Sequence, residues 1–162
     1  MFGAALCEAT GAEIAFHGTL NDYTVQPGKI TERDLFMLAP YENPLVVLNL
    51  SPSECRTIIE EQLADRKRSV FQAPYGVKYT VDNASGGVSS LKVGDNMRIW
   101  ADDGIRLKAA FAGYYAAGAG GRFPELRRIS QSAGTETVYG GMGTREALRE
   151  HLKKHRRPER KE

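Results

Sequence analysis

The chain has 162 residues, with 22 Lys or Arg against 20 Asp or Glu and 41% apolar residues. This length fits a single domain that buries about two-thirds of its unfolded surface without covalent staples, and no apolar run approaches the ~20 residues of a membrane span. With two cysteines and an N-terminus that lacks a basic, apolar leader, we expect neither a disulfide framework nor a secretory signal, and we predict a cytoplasmic protein with reduced thiols.

The first third of the chain predicts a strand, a short helix and a central strand. Glu13 to His17 reads as the first strand. Thr31-Glu-Arg-Asp34 is a capping box with Asp in place of Glu, which predicts a helix to about Leu38 that Pro40 ends. The unbroken apolar run from Leu45 to Leu50 indicates a strand covered on both faces.

The next stretch carries the strongest helix signal in the sequence. Ser51 is placed as the N-cap, Pro52 at the first helical position and Glu54 at the third. One face then carries the residues expected to pack on the core, namely Cys55, Ile58, Ile59, Gln62 and Leu63. The spacing accounts for Cys55 as a core thiol, and the helix is expected to end near Lys67 and Arg68.

Two further strands, Val77 to Val81 and Val88 to Val93, lead to a predicted hairpin over residues 96–111. Both arms alternate apolar with polar residues around the turn Asp102-Asp103-Gly104, where Gly104 supplies a positive φ. The register that keeps the faces separate pairs Ile99 with Leu107.

That register also sets Trp100 opposite Arg106 and Arg98 opposite Lys108. Opposed like charges cost up to roughly 1 kcal/mol, a cost that an anionic partner would relieve. An exposed Trp100 flanked by arginine is then a stacking or cation–π platform. The alternative is a helix that covers Trp100 while the cations reach solvent at its rim.

The last third predicts a flexible loop, a short helix, a strand and a terminal helix. Small residues follow Gly113 and indicate the loop, whereas Pro124 begins a helix with Leu126 and Ile129 inward. Thr135 to Tyr139 is the strand, and Leu148 and Leu152 mark the apolar stripe of the terminal helix.

The run Gly140-Gly-Met-Gly-Thr144-Arg145 precedes that terminal helix. Glycine-rich backbone before a helix N-terminus directs several N–H groups toward one point, and Thr144 and Arg145 would add a hydroxyl and a guanidinium. This predicts an anion site. The alternative is a hinge in which Thr144 is an ordinary N-cap.

The C-terminal end carries the net positive charge of the chain. Arg145 to Glu162 contains eight Lys or Arg against four Glu, as expected of either a solvated terminus or a polyanion contact. His151 and His155 lie four residues apart on the terminal helix, a spacing that suits a metal, but the sequence places no third ligand beside them. We therefore expect a solvated rim there and predict no metal site.

Phe16-His17-Gly18-Thr19, at the end of the first strand, resembles the opening strand of one class of ADP-ribosyltransferases. The resemblance implies that His17 holds the ribose on the nicotinamide side of NAD. It would make the protein an NAD-dependent transferase with His17 in its site.

The sequence as a whole predicts an α+β fold. It is expected to be a mostly antiparallel bent sheet or partly open β-barrel of about six strands, with one main packed helix and a C-terminal helix. Residues 1–142 would form the domain, and residues 143–162 a basic helix and disordered tail.

The preferred function is a small non-catalytic binding module for nucleic acid or an acidic protein, with no cofactor, no membrane contact and no assigned catalytic residue. The alternatives are the NAD-dependent transferase and a protein-assembly subunit. The candidate anion-binding residues are Arg98, Trp100, Arg106, Lys108, Thr144, Arg145, Lys153, Lys154, Arg156 and Arg157.

Overall fold

The computed structural model describes residues 1–18, 23–64, 72–93, 98–99, 104–132 and 136–155. The helices are α1 (Phe2–Thr10), α2 (Glu32–Leu38), α3 (Pro52–Ala64), α4 (Gly113–Ala116), α5 (Pro124–Ser130) and α6 (Thr144–Lys154), with a 3₁₀ turn over Ala119–Gly121. The strands are β1 (Ile14–Gly18), β2 (Pro44–Leu50), β3 (Gln72–Tyr75), β4 (Val77–Val81), β5 (Val88–Val93), β6 (Arg98–Ile99), β7 (Leu107–Ala112) and β8 (Glu136–Gly143).

The strands form two sheets. The larger has the order β3-β1-β7-β2-β8, and only its β1/β7 pair is parallel. β2 lies between β7 and β8, with Leu45 opposite Ala112 and Leu50 opposite Leu107. The smaller sheet has the order β4-β5-β6 and is antiparallel.

The larger sheet is covered on both faces, which explains why β2 is an unbroken apolar run. On one face, α3, α5 and the smaller sheet bury Phe16 and Phe111, whose rings stack with centroids 4.8 Å apart. On the other, α1 and α6 pack over small side chains that include Ala15 and Ala110. The small residues let the helices approach the sheet closely.

Most predicted helices and strands are confirmed. The capping box of α2 is formed by Thr31 and Asp34, and α3 begins with Ser51 Oγ accepting from the Glu54 N–H while Glu54 Oε2 accepts from the Ser51 N–H. The mixed, mostly antiparallel α+β class is confirmed as well. The single six-stranded bent sheet is matched only loosely, because the described strands divide between two sheets.

The predicted hairpin over residues 96–111 is wrong. β6 pairs with β5, with Ile99 opposite Lys92, whereas β7 lies between β1 and β2 in the larger sheet. Lys108 is opposite Asn49 rather than Arg98. Alternating apolar residues indicate a strand but not its partner, and β7 is buried on both faces, so it gains more from two long neighbours than from the short β6. Gly104 does have a positive φ, of 87°.

The loop predicted after Gly113 is also wrong, since this stretch forms α4 and the 3₁₀ turn. Tyr115 and Ala116 are buried there, and this burial outweighs the low helix propensity of a glycine-rich segment. The sequence interpretation also missed α1. None of the helices in the described residues has the length and apolar composition needed to cross a bilayer. The cytoplasmic localisation stays a prediction.

Candidate functional site

Several strand ends meet at one edge of the larger sheet. Because β1 and β7 are parallel and β2 is antiparallel to β7 and β8, the ends of β1, β7 and β8 lie beside the start of β2. A Cβ placed on Gly113 would lie 3.1 Å from the carbonyl oxygen of Pro44, which shows how closely the chain segments approach. Loops at this edge carry the side chains described next.

Four aromatic residues, which we call the aromatic edge, follow β7 or precede β2: Tyr41, Tyr114, Tyr115 and Phe123. The rings of Tyr114 and Tyr115 meet edge to face at 5.3 Å, and Tyr115 lies 5.9 Å from Phe123. Tyr115 and Phe123 are buried, whereas Tyr41 is 66% and Tyr114 46% exposed. The buried Tyr115 ring thus supports the exposed phenol ring of Tyr114.

The pKa of the Tyr115 phenol is affected by the charges and rings around it. Burial raises the pKa of its phenol; the Arg122 guanidinium opposes that rise, and Tyr114 and Tyr41 add to it. Tyr41, Tyr114 and Arg122 therefore all lie within electrostatic range of one buried ring.

Phe123 adopts a strained backbone conformation. Its φ of 54° and ψ of 60° are left-handed, and among the described residues other than glycine it alone has a positive φ. Pro124 follows and begins α5, whose first N–H groups donate to the Glu61 carboxylate at 2.7 and 3.0 Å. Strain of this kind costs about 1 to 3 kcal/mol and persists where packing holds it, often at functional sites.

A cleft with a volume of about 320 Å³ lies beside Phe123. We call it the arginine cleft, after its lining residues Gly118, Gly121, Arg122, Pro124, Arg127, Arg128 and Gln131. A Cβ on Gly118, whose φ is +70°, would lie 2.5 Å from Arg127 Cδ, so only glycine lets the arginine stem cross there. Arg128 is paired with Glu125, and none of the described residues that line the cleft is acidic. Its size and charge suit a small anion.

His17 lines a second cleft, of about 330 Å³, together with Met1, Phe2, Gly3, Gly18, Tyr23 and Leu38. Its ring stacks on Phe2 with centroids 4.2 Å apart. Burial lowers the pKa of His17 to about 4, so the ring is neutral at pH 7.

The candidate anion-binding residues do not form one surface in the described residues. Arg106 is paired with Glu54 at 2.9 Å, Lys153 with Glu150 at 2.7 Å and Lys154 with Glu8 at 2.5 Å. Lys108 is exposed on β7, and Arg98 belongs to β6. Trp100, Arg156 and Arg157 lie outside the described residues. Anion binding by these residues stays a prediction.

An internal carboxylate occupies the N-terminus of α6, where the glycine-rich run predicted an anion. Glu42 Oε1 accepts from the Arg145 N–H at 3.0 Å and the Glu146 N–H at 3.4 Å. A Cβ on Gly143 would lie 1.8 Å from that oxygen, so the glycine makes room for the carboxylate.

The other groups of Thr144 and Arg145 also serve the fold. Thr144 Oγ1 donates to the Tyr41 carbonyl at 3.1 Å, and the Arg145 guanidinium donates to the carbonyls of Ala39 and Pro40 at 2.8 Å each. They hold the Tyr41 loop against α6.

Comparison with known proteins identifies relatives. The family model described as "5'-nucleotidase, C-terminal domain" matches residues 1–127. A probable 5'-nucleotidase of Treponema pallidum is 29% identical over 142 residues, which cover 82% of this chain and 23% of that protein. This chain therefore spans about a quarter of that relative's length.

Solved structures show the same fold. A 5'-nucleotidase precursor from Thermus thermophilus has a TM-score of 0.74 at 18% identity, over 94% of this chain and 31% of that one. The NAD nucleotidase of Haemophilus influenzae has a TM-score of 0.73 at 16% identity, over 95% and 28%.

These matches overturn the predicted non-catalytic nucleic-acid-binding module, and the matching family model is that of a nucleotidase domain rather than an ADP-ribosyltransferase. The module rested on like charges opposed across a hairpin that the fold does not contain. Sequence reasoning missed Tyr41, Tyr114, Phe123 and Arg122. The usable signal was a glycine-rich run between the Tyr114-Tyr115 pair and Arg122-Phe123. Its low complexity favoured the prediction of a flexible loop and concealed the buried positions of α4.

Proposed function

The chain belongs to the 5'-nucleotidase C-terminal domain family, and from this membership we propose that it is the nucleotide-recognition domain of a nucleotide-hydrolysing enzyme. The observation that carries the proposal is the aromatic edge lying directly beside the arginine cleft. A nucleotide combines a flat base with an anionic phosphate, and the two features offer one partner for each.

The exposed rings of Tyr41 and Tyr114 are the proposed contact for the base. Aromatic stacking on a nucleobase contributes about 1 to 3 kcal/mol and tolerates different bases. The rings do not need to reorganise extensively, because buried Tyr115 and Phe123 support Tyr114 from below. This arrangement reduces the ordering cost of binding.

The arginine cleft is the proposed contact for the phosphate. Arg122 immediately precedes Phe123 and lies within electrostatic range of Tyr115, so its guanidinium is the proposed partner for the phosphate of a nucleotide whose base lies on the aromatic edge. Arg122 and Arg127 present planar donors that match phosphate oxygens in pairs. The neighbouring turn over Ala119–Gly121 supplies additional backbone N–H groups.

We place the bond-breaking groups outside this chain. The chain corresponds to 23% of the Treponema pallidum relative and 31% of the Thermus thermophilus protein, both described as 5'-nucleotidases, so most of each lies beyond the aligned part. In the proposal, this domain binds and orients the nucleotide, and another domain supplies the hydrolytic centre.

Calorimetric titration tests the proposal with AMP, NAD, adenosine and inorganic phosphate as separate ligands. We expect AMP to bind more tightly than adenosine or phosphate. Tyr41→Ala should weaken AMP binding by roughly 1 to 3 kcal/mol, because it removes a stacking surface. Arg122→Gln should weaken AMP but not adenosine.

Arg56→Gln is the matched control, since Arg56 is exposed on α3 away from the cleft; it should bind AMP like the unchanged chain. If Arg56→Gln and Arg122→Gln weaken AMP binding equally, the loss reflects the change in net charge and not a contact made by Arg122. AMP binding that is unaffected by both Tyr41→Ala and Arg122→Gln would contradict the assigned site.

A further inference from the structure

Three metal-binding side chains converge on the face of the sheet opposite α5. Glu8 of α1 meets His151 of α6 and His155, the residue that caps the C-terminus of α6, and one donor atom from each lies within 4.8 Å of the other two. His151 Nδ1 is 2.5 Å from Glu8 Oε2, and His155 Nε2 is 3.1 Å from both carboxylate oxygens. No other such group of three occurs in the part of the chain that the structure describes.

The packing of two helices fixes this geometry. His151 in the last turn of α6 and His155 at its C-cap are four residues apart, and both imidazoles contact Glu8 of α1. Around them, Ala5 and Leu6 of α1 and Ala147 and Leu148 of α6 are buried. The His151 side chain is 16% exposed and that of Glu8 28%. The sequence spacing supplied two ligands, and the fold adds the third.

We propose that Glu8, His151 and His155 form a Zn²⁺ site that joins α1 to α6. Two imidazoles and a carboxylate are ligands that Zn²⁺ accepts, with a water completing a four-coordinate shell. Without the ion, hydrogen bonds join the same three groups. Zn²⁺ would replace these hydrogen bonds, and the ligand atoms around it need a separation of only about 3.4 Å.

The site is separate from the proposed nucleotide contacts. It belongs to the α1 and α6 layer, whereas the arginine cleft is formed by α5 and the turn before it on the other face. Its role is to stabilise the docking of the C-terminal helix, because an ion that binds only the folded state raises stability.

Lys154 competes with the metal. Its ammonium lies 2.5 Å from Glu8 Oε1, so Zn²⁺ must displace it or bind beside a like charge. Lys154→Met removes this cation while keeping most of the length of the side chain. The variant should bind Zn²⁺ several-fold more tightly than the unchanged chain, an effect opposite in sign to loss of a ligand.

The test is titration of ZnCl₂ into the full chain without a histidine tag, after chelator treatment, followed by calorimetry and thermal unfolding. We expect one ion per chain with a Kd in the micromolar range or below, a rise in Tm, and no rise with MgCl₂. Co²⁺ in place of Zn²⁺ should give visible absorption of low-coordinate cobalt.

Glu8→Gln, His151→Gln and His155→Gln should each weaken binding by tenfold or more. Glu150→Gln changes an exposed carboxylate on the same helix and should leave Zn²⁺ binding unchanged. A Kd weaker than about 0.1 mM, or equal binding in Glu8→Gln and Glu150→Gln, would overturn the proposal. Because apo and Zn²⁺-loaded Tm are measured for every variant, a folding defect is distinguished from a lost ligand.

Discussion

At the scale of single residues, burial changes the proton affinity of His17. Its ring stacks on Phe2 beneath α1, and desolvation lowers its pKa from 6.5 to about 4. The folded protein therefore holds a neutral imidazole at a pH where an unfolded chain binds a proton. Because the folded and unfolded chains bind this proton differently, the free energy of unfolding depends on pH.

We predict that His17 reduces stability as the pH falls from about 6.5 toward 4. Above pH 6.5 His17 is neutral in both the folded and the unfolded chain, so the free energy of unfolding is not reduced. Between pH 6.5 and 4 only the unfolded chain binds the proton, and this lowers the free energy of unfolding. The loss is at most about 3 kcal/mol. Urea unfolding at several pH values measures it.

His17→Phe keeps the ring stack without a titrating group and is the control. Its free energy of unfolding should depend less on pH between 6.5 and 4.5. Glu8 and Asp34, with pKa values lowered to about 2 by their hydrogen bonds, begin to contribute at the acidic end of this window, but they do so equally in both chains. The same pH slope in both chains would show that another group is responsible.

The Glu42 carboxylate lies where the sequence predicted an external anion, at the N-terminus of α6. The first turn of α6 does present backbone donors to a carboxylate, but the donors are the Arg145 and Glu146 N–H groups rather than those of the preceding glycines, and the carboxylate belongs to the chain. Sequence patterns identify the chemistry of a site and not its occupant. Here a loop more than 100 residues away supplies it.

At the scale of elements, α3 is the part that local sequence describes best. Its N-terminal box is formed as predicted, and Cys55, Ile58, Ile59 and Gln62 are buried. Burial raises the pKa of Cys55 to about 12, in agreement with the predicted inert core thiol. Its predicted end near Lys67 and Arg68 lies outside the described residues.

We predict that Ile59→Ala lowers the free energy of unfolding by about 2 to 5 kcal/mol, because it leaves a cavity between α3 and the sheet. Ile59 is 1% exposed within the cluster that contains Phe16 and Phe111. Chemical denaturation provides the measurement, with Arg56→Ala as an exposed control on the same helix that should change stability by less than about 0.5 kcal/mol. A loss below about 1 kcal/mol for Ile59→Ala would place the residue outside the core.

At the scale of the whole molecule, the C-terminal segment completes the sheet and its outer layer. β8 pairs with β2, while Leu148 of α6 packs with Ala5 and Leu35. The family model ends at residue 127, before either element. The predicted boundary between residues 142 and 143 stays a prediction.

We predict that a chain ending at Ser132 loses cooperative folding. Without β8, β2 becomes an unprotected apolar edge strand, and without α6 the outer face of α1 is open to water. Compared with a chain ending at His155, which retains every described helix and strand, it should bind a hydrophobic dye and unfold at least ~10 °C lower. Equal melting temperatures for the two chains would make residues 133–155 dispensable to the domain.

The sequence by itself determined the helix caps, most strand positions and the α+β class, because these depend on residues within a few positions of one another. Only the tertiary structure decided that β7 lies between β1 and β2, that α4 is a buried helix, and that Tyr41 belongs with Tyr115. It also placed Glu8 beside two histidines more than 140 residues away. The physical reason is that alternation, spacing and composition specify which face of an element is apolar, whereas the choice of partner depends on burial summed over the whole chain.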